Sequence, residues 1–127
     1  MKKLLIFLFS ILISFNSYGE WEKVFTNSDG DTFYIDFDKI KQHDGYVYWW
    51  HLKDYLVPDG RGLSDMYYNQ GDCENNRIKI LTNYFFKLPM GEGLISNPSN
   101  TAYKGWINPQ TGGEMESWLI LVCDYVD

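Results

Sequence analysis

The segment YVYWWHLKDY, residues 46–55, carries the strongest strand pattern in this chain of 127 residues. It is dense in aromatic and β-branched side chains, which strands favour. Successive side chains of a strand point to opposite faces of the sheet, and here both faces are largely apolar. One face carries Tyr48, Trp50 and Leu52, and the other carries Val47, Trp49 and His51. We therefore predict that residues 46–55 form a central strand of a β-sheet.

Further strands are predicted on both sides of this segment. Turn-forming residues separate them, namely Asn27-Ser28-Asp29-Gly30, His43-Asp44-Gly45 and Pro58-Asp59-Gly60. The predicted strands are 21–26, 32–36, 63–69 and 77–87, with a helical turn at 37–40 and a long loop at 88–105. Alternation along 77–87 places Ile78, Ile80, Thr82, Tyr84 and Phe86 together. These five side chains would form the buried side of a half-buried antiparallel strand.

The hydrophobic period changes near the C-terminus. Apolar side chains recur at helical spacing, at Met115, Trp118, Leu119 and Val122. Residues 111–114 fit a capping box, in which Thr111 would cap the helix and Glu114 would reach back to it. The predicted fold class is therefore α+β, with a single antiparallel sheet and a C-terminal α-helix packed on one of its faces.

The first nineteen residues resemble a secretory signal peptide. Lys2 and Lys3 precede an apolar run over residues 4–15, and Ser17 and Gly19 occupy the positions that a signal peptidase reads. The run is shorter than the roughly 20 residues that span a bilayer. We predict cleavage between Gly19 and Glu20, which leaves residues 20–127 as one domain with no membrane span.

Export determines how the two cysteines of the chain are interpreted. In an oxidising compartment, Cys73 and Cys123 are expected to form a disulfide rather than a metal site or a redox motif. Glu20, and not a cysteine, would be the first residue after cleavage, so the sequence predicts no lipoprotein anchor. The expected location is the periplasm, the cell surface or the medium.

Charge excludes several classes of partner. The exported part holds nine basic and seventeen acidic residues, a net charge of −8. Such a balance argues against nucleic acids and anionic membranes as partners. His43 and His51 lie in different contexts, and strand alternation separates His51 from Asp54, so no acid–base pair is predicted. Ser64 lacks the setting of a catalytic nucleophile. We predict no catalytic residue, no metal and no cofactor.

The aromatic content is more informative. The chain has 23 aromatic residues, of which 19 remain after the signal peptide. A single helix covers one face of a sheet, so some aromatic side chains should stay near the surface, where protein interfaces favour them. The candidates for protein binding are Trp49, Tyr67, Tyr103 and Trp106. The alternatives are an aromatic-rich core with a homodimer interface and a surface for a foreign protein.

The order of short motifs along residues 21–123 resembles the surface-adhesin protein E family of Gram-negative bacteria. The matching positions are Trp21, Tyr34-Ile35-Asp36, Trp50, Leu52, Asp54-Tyr55, Ser64, Asp72-Cys73, Arg77, Leu81, Met90-Gly91, Gly93, Trp106, Pro109 and Cys123. The resemblance implies a sheet of about six strands whose concave face holds the C-terminal helix through the disulfide.

The same resemblance implies a non-enzymatic adhesin. For this chain the resemblance implies binding to host matrix or serum proteins such as vitronectin, laminin and plasminogen, and a homodimer. The matching residues are structural, so they carry the fold to this chain rather than a binding epitope. The alternative function is a periplasmic structural or assembly protein that binds itself or another bacterial envelope protein.

Overall fold

The computed structural model describes residues 20–59, 62–95 and 105–127. The predicted signal peptide at 1–19 lies outside the described residues. Within them, the predicted α+β architecture is confirmed, with one antiparallel sheet and one C-terminal helix. The strands are β1 (Glu22–Thr26), β2 (Thr32–Ile35), β3 (Lys41–His43), β4 (Tyr46–Asp59), β5 (Gly62–Asp72) and β6 (Arg77–Phe86), and the helix is α1 (Glu114–Val126).

The central position predicted for the aromatic segment is confirmed. The sheet order is β1-β2-β4-β5-β6, and β3 pairs with β4 beside this path. Residues 51–54 of β4 pair with β2 and residues 46–48 pair with β3, while β5 runs along the opposite edge. Short 3-10 turns at Phe37–Lys39 and Pro89–Gly91 complete the described elements, the first of them as predicted.

Strand β3 was not predicted from the sequence. Its side chains are polar and exposed, so they show no hydrophobic alternation. A tight hairpin places it: Asp44 and Gly45 both have positive φ angles, 51° and 83°. Two such residues suit a two-residue turn whose twist matches the strands that it joins. The predicted turn is therefore correct, and the three residues before it pair with β4.

The predicted break at residues 58–60 is wrong, because β4 continues through Pro58 to Asp59. Regular pairing with β5 ends at Asp54 and resumes at Asp59 after a register shift. Proline is tolerated in such an irregular part of a strand, where no ladder hydrogen bond requires its missing N–H. Leu56 and Val57 project from this overhang, each with 69% of its surface exposed.

The prediction that the side chains of β6 alternate strictly between the two faces is also wrong. Tyr68 pairs with Thr82 and Asn69 pairs with Ile80, so Leu81 is an extra residue in a β-bulge. We call the side of the sheet that carries α1 the helix face, and the opposite side the far face. The bulge leaves Ile78 and Ile80 on the helix face and moves Thr82, Tyr84 and Phe86 to the far face.

The main core lies between α1 and the helix face. The predicted helical stripe is confirmed, since Trp118, Leu119 and Val122 are buried against the sheet. Their sheet partners include Phe33, Ile35, Val47, Trp49 and Ile78. Gly71 allows this close approach: a β-carbon there would lie 2.8 Å from Trp49 Cζ3 and 2.9 Å from Leu119 Cδ1. A larger side chain at this position would force these neighbouring side chains to shift.

The predicted capping box is wrong. Helix α1 begins at Glu114 with Gly113 as its N-cap, and no side chain of the described residues caps it. The Gly113 N–H donates to the Gln110 carbonyl oxygen in a turn that precedes the helix. This turn places Thr111 too early to act as the cap. Glu116 instead accepts a hydrogen bond from the Gly112 N–H at 3.1 Å.

The predicted disulfide is confirmed. Cys73 and Cys123 are bonded, with their Cα atoms 5.9 Å apart. Cys73 follows the end of β5 and Cys123 lies in α1, so the bond ties the helix to the sheet. Asp72 fixes the adjoining turn, since it accepts hydrogen bonds from Asn75 and from Arg77 Nε at 2.9 Å. The Asn75 side chain, and then Arg77, hold the pKa of Asp72 below its ordinary value.

Candidate functional site

Three of the four predicted binding residues are described by the structure, and these three do not form one surface. Trp49 is 0% exposed beneath α1, so its expected place near the surface is wrong. The reason is that the helix covers this face of β4. Tyr67 is half-buried on the same face, with its ring 4.8 Å from that of His51. Trp106 is half-buried on the far face, and Tyr103 lies outside the described residues.

The far face carries a strip of aromatic rings, which we call the aromatic strip: Tyr48, Trp50, Tyr68 and Tyr84. The ring of Tyr68 lies 6.2 Å from Tyr48 and 4.8 Å from Trp50, and Trp50 lies 5.9 Å from Tyr84. The planes of these ring pairs are inclined to one another by 28°, 31° and 33° respectively. All four side chains are half-buried. They offer a neutral, semi-continuous contact surface across three neighbouring strands.

Tyr68 keeps its phenolic proton at neutral pH. Burial, and then the neighbouring Tyr48, raise the pKa of Tyr68 above its ordinary value of 10.0. Both effects disfavour a phenolate. The Tyr68 hydroxyl is therefore a hydrogen-bonding group at physiological pH, beside rings that supply apolar contact area. Side chains of this kind dominate the energetics of protein interfaces.

Trp106 extends this far-face surface toward one end of β6. Its ring lies 5.4 Å from the ring of Tyr46. Arg77 Cζ lies 4.3 Å and Lys79 Nζ lies 4.9 Å from its centroid, which is cation–π geometry. The neighbouring Ile107 pairs with Ile78 through two backbone hydrogen bonds of 2.9 and 2.7 Å. Trp106 is thus held by strand pairing and by two cations.

Basic residues concentrate on the far face, although the protein is acidic overall. Paired residues share a face of a sheet, and the described registers place these four there: Lys23, Lys41, Arg77 and Lys79. Among the described strand residues, the far face carries two carboxylates, Asp54 and Asp72, and both already accept hydrogen bonds. The Met90 N–H donates to Asp54 at 3.0 Å, and Arg77 Nε donates to Asp72. The far face therefore combines aromatic area with a local excess of positive charge.

The helix face carries a partly open cavity of about 500 Å³, lined by the sheet and the first turns of α1. His51 lies in its wall and stacks on Trp118, with ring centroids 4.0 Å apart. Asn69 Nδ2 lies 2.9 Å from His51 Nδ1. Burial, and then the charge of Lys53, lower the pKa of His51 to about 3. A neutral, packed imidazole is consistent with the predicted structural role.

The predicted separation of Asp54 from His51 is confirmed. Asp54 lies on the far face, where its carboxylate is bonded to the backbone of Met90. Ser64 Oγ donates to the Leu88 carbonyl oxygen at 2.6 Å and accepts from the Gly91 N–H at 3.0 Å. Both side chains therefore fix the Pro89–Gly91 turn on the sheet.

Two features are absent from residues 20–59, 62–95 and 105–127. There, no three His, Cys, Asp or Glu side chains converge as a ligand set for a metal ion. In the same residues, no helix has both the length and the apolar composition needed to cross a membrane.

Sequence reasoning missed most of the far-face surface. The alternation of residues 46–55 correctly put Tyr48 and Trp50 on one face, but Tyr84 reaches them because of the bulge at Leu81. The grouping of the lysines depends on strand registers, which a single sequence does not reveal. Aromatic residues two apart in a predicted central strand were the available signal.

Together, the fold and the surface define a class of protein: a one-sheet α+β domain with a disulfide-tethered helix on one face and an aromatic, basic surface on the other. A family model described as surface-adhesin protein E matches residues 21–124. The chain belongs to the surface-adhesin protein E family. No curated protein matched it.

Solved structures show the same fold. Crystal form II of Haemophilus influenzae protein E matches with a TM-score of 0.61 at 16% identity, covering 84% of this chain and 90% of that one. The selenomethionine form of that protein matches with a TM-score of 0.58 at 15% identity, covering 80% and 85%. At such identity the likeness extends to the fold and not to individual binding residues.

Proposed function

We propose that the protein is an exported, non-enzymatic binding protein that engages a protein partner through the far face of its sheet. The observation that carries this proposal is the aromatic strip with its surrounding basic residues. The surface-adhesin family supports a role in binding proteins. The partner expected from the family resemblance is a matrix or serum protein of a host.

The chemistry of the far face constrains the partner. Aromatic rings and arginine are enriched at the centres of protein interfaces. Lys23 and Lys41 are exposed, and their charges are opposite in sign to the net charge of the protein. We therefore expect the partner to present an apolar patch bordered by carboxylates. Complementary charge of this kind would speed association and fix the orientation of the complex.

Export is the second part of the proposal. The disulfide between Cys73 and Cys123 supports an oxidising compartment, because cytosolic proteins rarely keep such bonds. The predicted signal peptide at residues 1–19 would deliver the domain there. Protease treatment of intact cells tests the location: loss of the protein indicates surface exposure, whereas protection until the outer membrane is opened indicates the periplasm.

Binding is tested with residues 20–127 on immobilised vitronectin, laminin and plasminogen. Trp50→Ala should weaken binding by about thirtyfold or more if this residue is a hot spot. Lys79→Glu should slow association and reduce its dependence on salt. The matched controls lie away from the far face: Tyr125→Ala on α1, where Tyr125 is 54% exposed, and Lys39→Glu in the 3-10 turn.

Two results would contradict far-face binding. One is wild-type affinity in both Trp50→Ala and Lys79→Glu. The other is an equal loss in the control variants, which would place the contact elsewhere. Absence of binding to every host protein, with the domain folded and its disulfide intact, would count against adhesion itself.

A periplasmic assembly role is the second candidate. The exposed Leu56 and Val57 favour it, because they form an apolar projection that a second copy or an envelope protein could cover. Sedimentation of the wild type and of Leu56→Ser/Val57→Ser tests self-association. A concentration-dependent dimer that the double substitution abolishes would support this function, and a strict monomer with no envelope partner would oppose it.

A further inference from the structure

Two side chains of opposite charge line the cavity on the helix face. Lys53 belongs to β4 and Glu114 is the first residue of α1, and both contribute to the lining. The Lys53 ammonium lies 3.9 Å from Glu114 Oε1, and the two side chains are 21% and 40% exposed. A charge-assisted hydrogen bond between them would measure about 2.7–2.9 Å. The two groups therefore attract each other without a direct hydrogen bond, and solvent reaches both.

The Lys53 ammonium is positioned by neighbours that do not accept its hydrogens. It lies 5.2 Å from the ring centroids of both Phe33 and Tyr55, in cation–π geometry. Among the described residues, no oxygen accepts a hydrogen bond from it. A lysine ammonium has three N–H donors. These donors can therefore bond to water or to the carboxylate of a bound molecule.

Glu114 has acceptor capacity left. Its Oε1, the oxygen that lies 3.9 Å from Lys53, accepts a hydrogen bond from Asn27 Nδ2 at 3.2 Å. Within the described part of the chain, no group donates to its Oε2. A carboxylate can accept about four hydrogen bonds. The cavity thus offers N–H donors on Lys53 and a carboxylate oxygen on Glu114 side by side.

The rest of the cavity suits an apolar group. Its volume of about 500 Å³ falls among those of small-molecule sites. Beyond the charged pair, most of the lining is aromatic or aliphatic, and it includes Tyr67, Ile80, Ile107, Met115 and Trp118. Aromatic groups pack favourably against such rings. A molecule that matches this lining carries one cation, one anion and an apolar body.

We propose that the cavity binds a zwitterionic α-amino acid with an apolar side chain. Its carboxylate would accept hydrogen bonds from the Lys53 ammonium, and its ammonium would donate to Glu114 Oε2. The nitrogen and the carboxylate carbon of an α-amino acid are about 2.5 Å apart. Four charges of alternating sign would then form a ring, while the apolar side chain packs against Ile80 and Trp118. The site lies on the opposite face from the proposed protein-binding surface and does not depend on it.

The test titrates four compounds into the disulfide-bonded protein and follows binding by NMR. L-Phenylalanine carries both charges and a ring, whereas 3-phenylpropionate lacks the ammonium, 2-phenylethylamine lacks the carboxylate and L-alanine lacks the ring. We expect phenylalanine to bind about tenfold or more tightly than each of the others. The reason is that a hydrogen bond to a charged group and the burial of a ring each contribute at least that factor.

Substitutions separate the roles of the two charges. In Lys53→Met, phenylethylamine should bind at least as tightly as phenylalanine, and phenylpropionate should stay weaker. In Glu114→Gln, phenylpropionate should bind at least as tightly as phenylalanine, and phenylethylamine should stay weaker. A merely structural role of either side chain would not exchange these preferences. Lys39→Met and Glu116→Gln, at positions that do not line the cavity, are the matched controls and should keep both preferences.

Ile80→Phe fills the cavity and should abolish binding in a protein whose NMR spectrum shows that it remains folded. The proposal is overturned if phenylalanine does not bind the wild type, or if alanine or a compound with a single charge binds as tightly. It is also overturned if both preferences persist in folded Lys53→Met and Glu114→Gln, or if Ile80→Phe binds normally. The four compounds are compared on the wild type alone, so a substitution that prevents folding does not remove the test.

Discussion

The buried histidine makes the stability of this domain depend on pH. His51 is neutral in the folded protein, since burial and Lys53 lower its pKa from 6.5 to about 3. In the unfolded chain the same side chain regains its ordinary value. Between these two values the unfolded state binds a proton that the folded state does not. Stability contributed by His51 is therefore full above pH 6.5 and falls as the pH decreases toward 3.

The magnitude follows from this proton difference. Stability changes by about 1.36 kcal/mol per pH unit for each proton that the unfolded state alone binds. From pH 8 to pH 5, that difference acts over about 1.5 pH units, so His51 should cost about 2 kcal/mol of stability. At pH 5 His51 remains neutral in the folded protein. The size of the stability loss therefore depends mainly on the pKa of His51 in the unfolded chain.

Urea denaturation at pH 8, 6.5 and 5 measures this loss. His51→Gln keeps an oxygen that can accept from Asn69 and removes the titrating group. The variant will be less stable than the wild type at every pH, because it loses the stack on Trp118. Between pH 8 and 5, however, its free energy of unfolding should fall by about 2 kcal/mol less than that of the wild type. His43→Gln, at the exposed second histidine, is the matched control.

The assignment of the pH dependence to His51 would be refuted if the wild type and His51→Gln lost equal amounts of unfolding free energy between pH 8 and 5. It would fail equally if His43→Gln removed the dependence. Carboxylates also titrate over part of this range, but their contribution is common to all three proteins. The difference between the denaturation curves therefore reports on one imidazole.

Three further predictions concern the tie between helix and sheet. Replacing Cys73 and Cys123 with serine should lower the free energy of unfolding by about 2–5 kcal/mol. A reductant should lower the melting temperature of the wild type and leave that of the double variant unchanged. If the reductant changes neither melting temperature, the disulfide is not structural. Gly71→Ala should cost about 1–3 kcal/mol through overpacking against the helix, measured by urea denaturation, and wild-type stability would show that the helix can shift freely. Asp72→Ala should cost about 1 kcal/mol because the turn loses the hydrogen bonds that Asn75 and Arg77 donate, and both donors can then bond to water; an unchanged midpoint in urea would contradict this.

Sequence reasoning succeeded where one physical signal dominated. The aromatic density of residues 46–55 gave the central strand, and the helical spacing of Trp118, Leu119 and Val122 gave the buried side of α1. The pairing of Cys73 with Cys123 followed from the predicted export and from the absence of other cysteines in the chain. These features depend on hydrophobic period or on covalent chemistry, both of which can be read locally.

It failed where backbone hydrogen bonds overrode side-chain pattern. The turn that bonds Gly113 to Gln110 displaced the expected cap at Thr111. Pro58 did not end β4, because the regular pairing of β4 with β5 stops at Asp54, before the proline. Trp49 was expected near the surface because its residue type favours interfaces, yet its position in the strand places it under α1. Local backbone bonding decided the first case, and strand pairing and helix packing decided the other two.

The bulge at Leu81 links the core of this protein to its far-face surface. Without the extra residue, Ile78, Ile80 and Tyr84 would share one face of β6. The sheet would then either expose two isoleucines or place Tyr84 under the helix, away from Trp50. With it, Ile78 pairs beside Gly71 in the core, and Tyr84 lies 5.9 Å from Trp50 across the far face. A single irregular residue therefore allows the same strand to serve a buried apolar face and an aromatic surface.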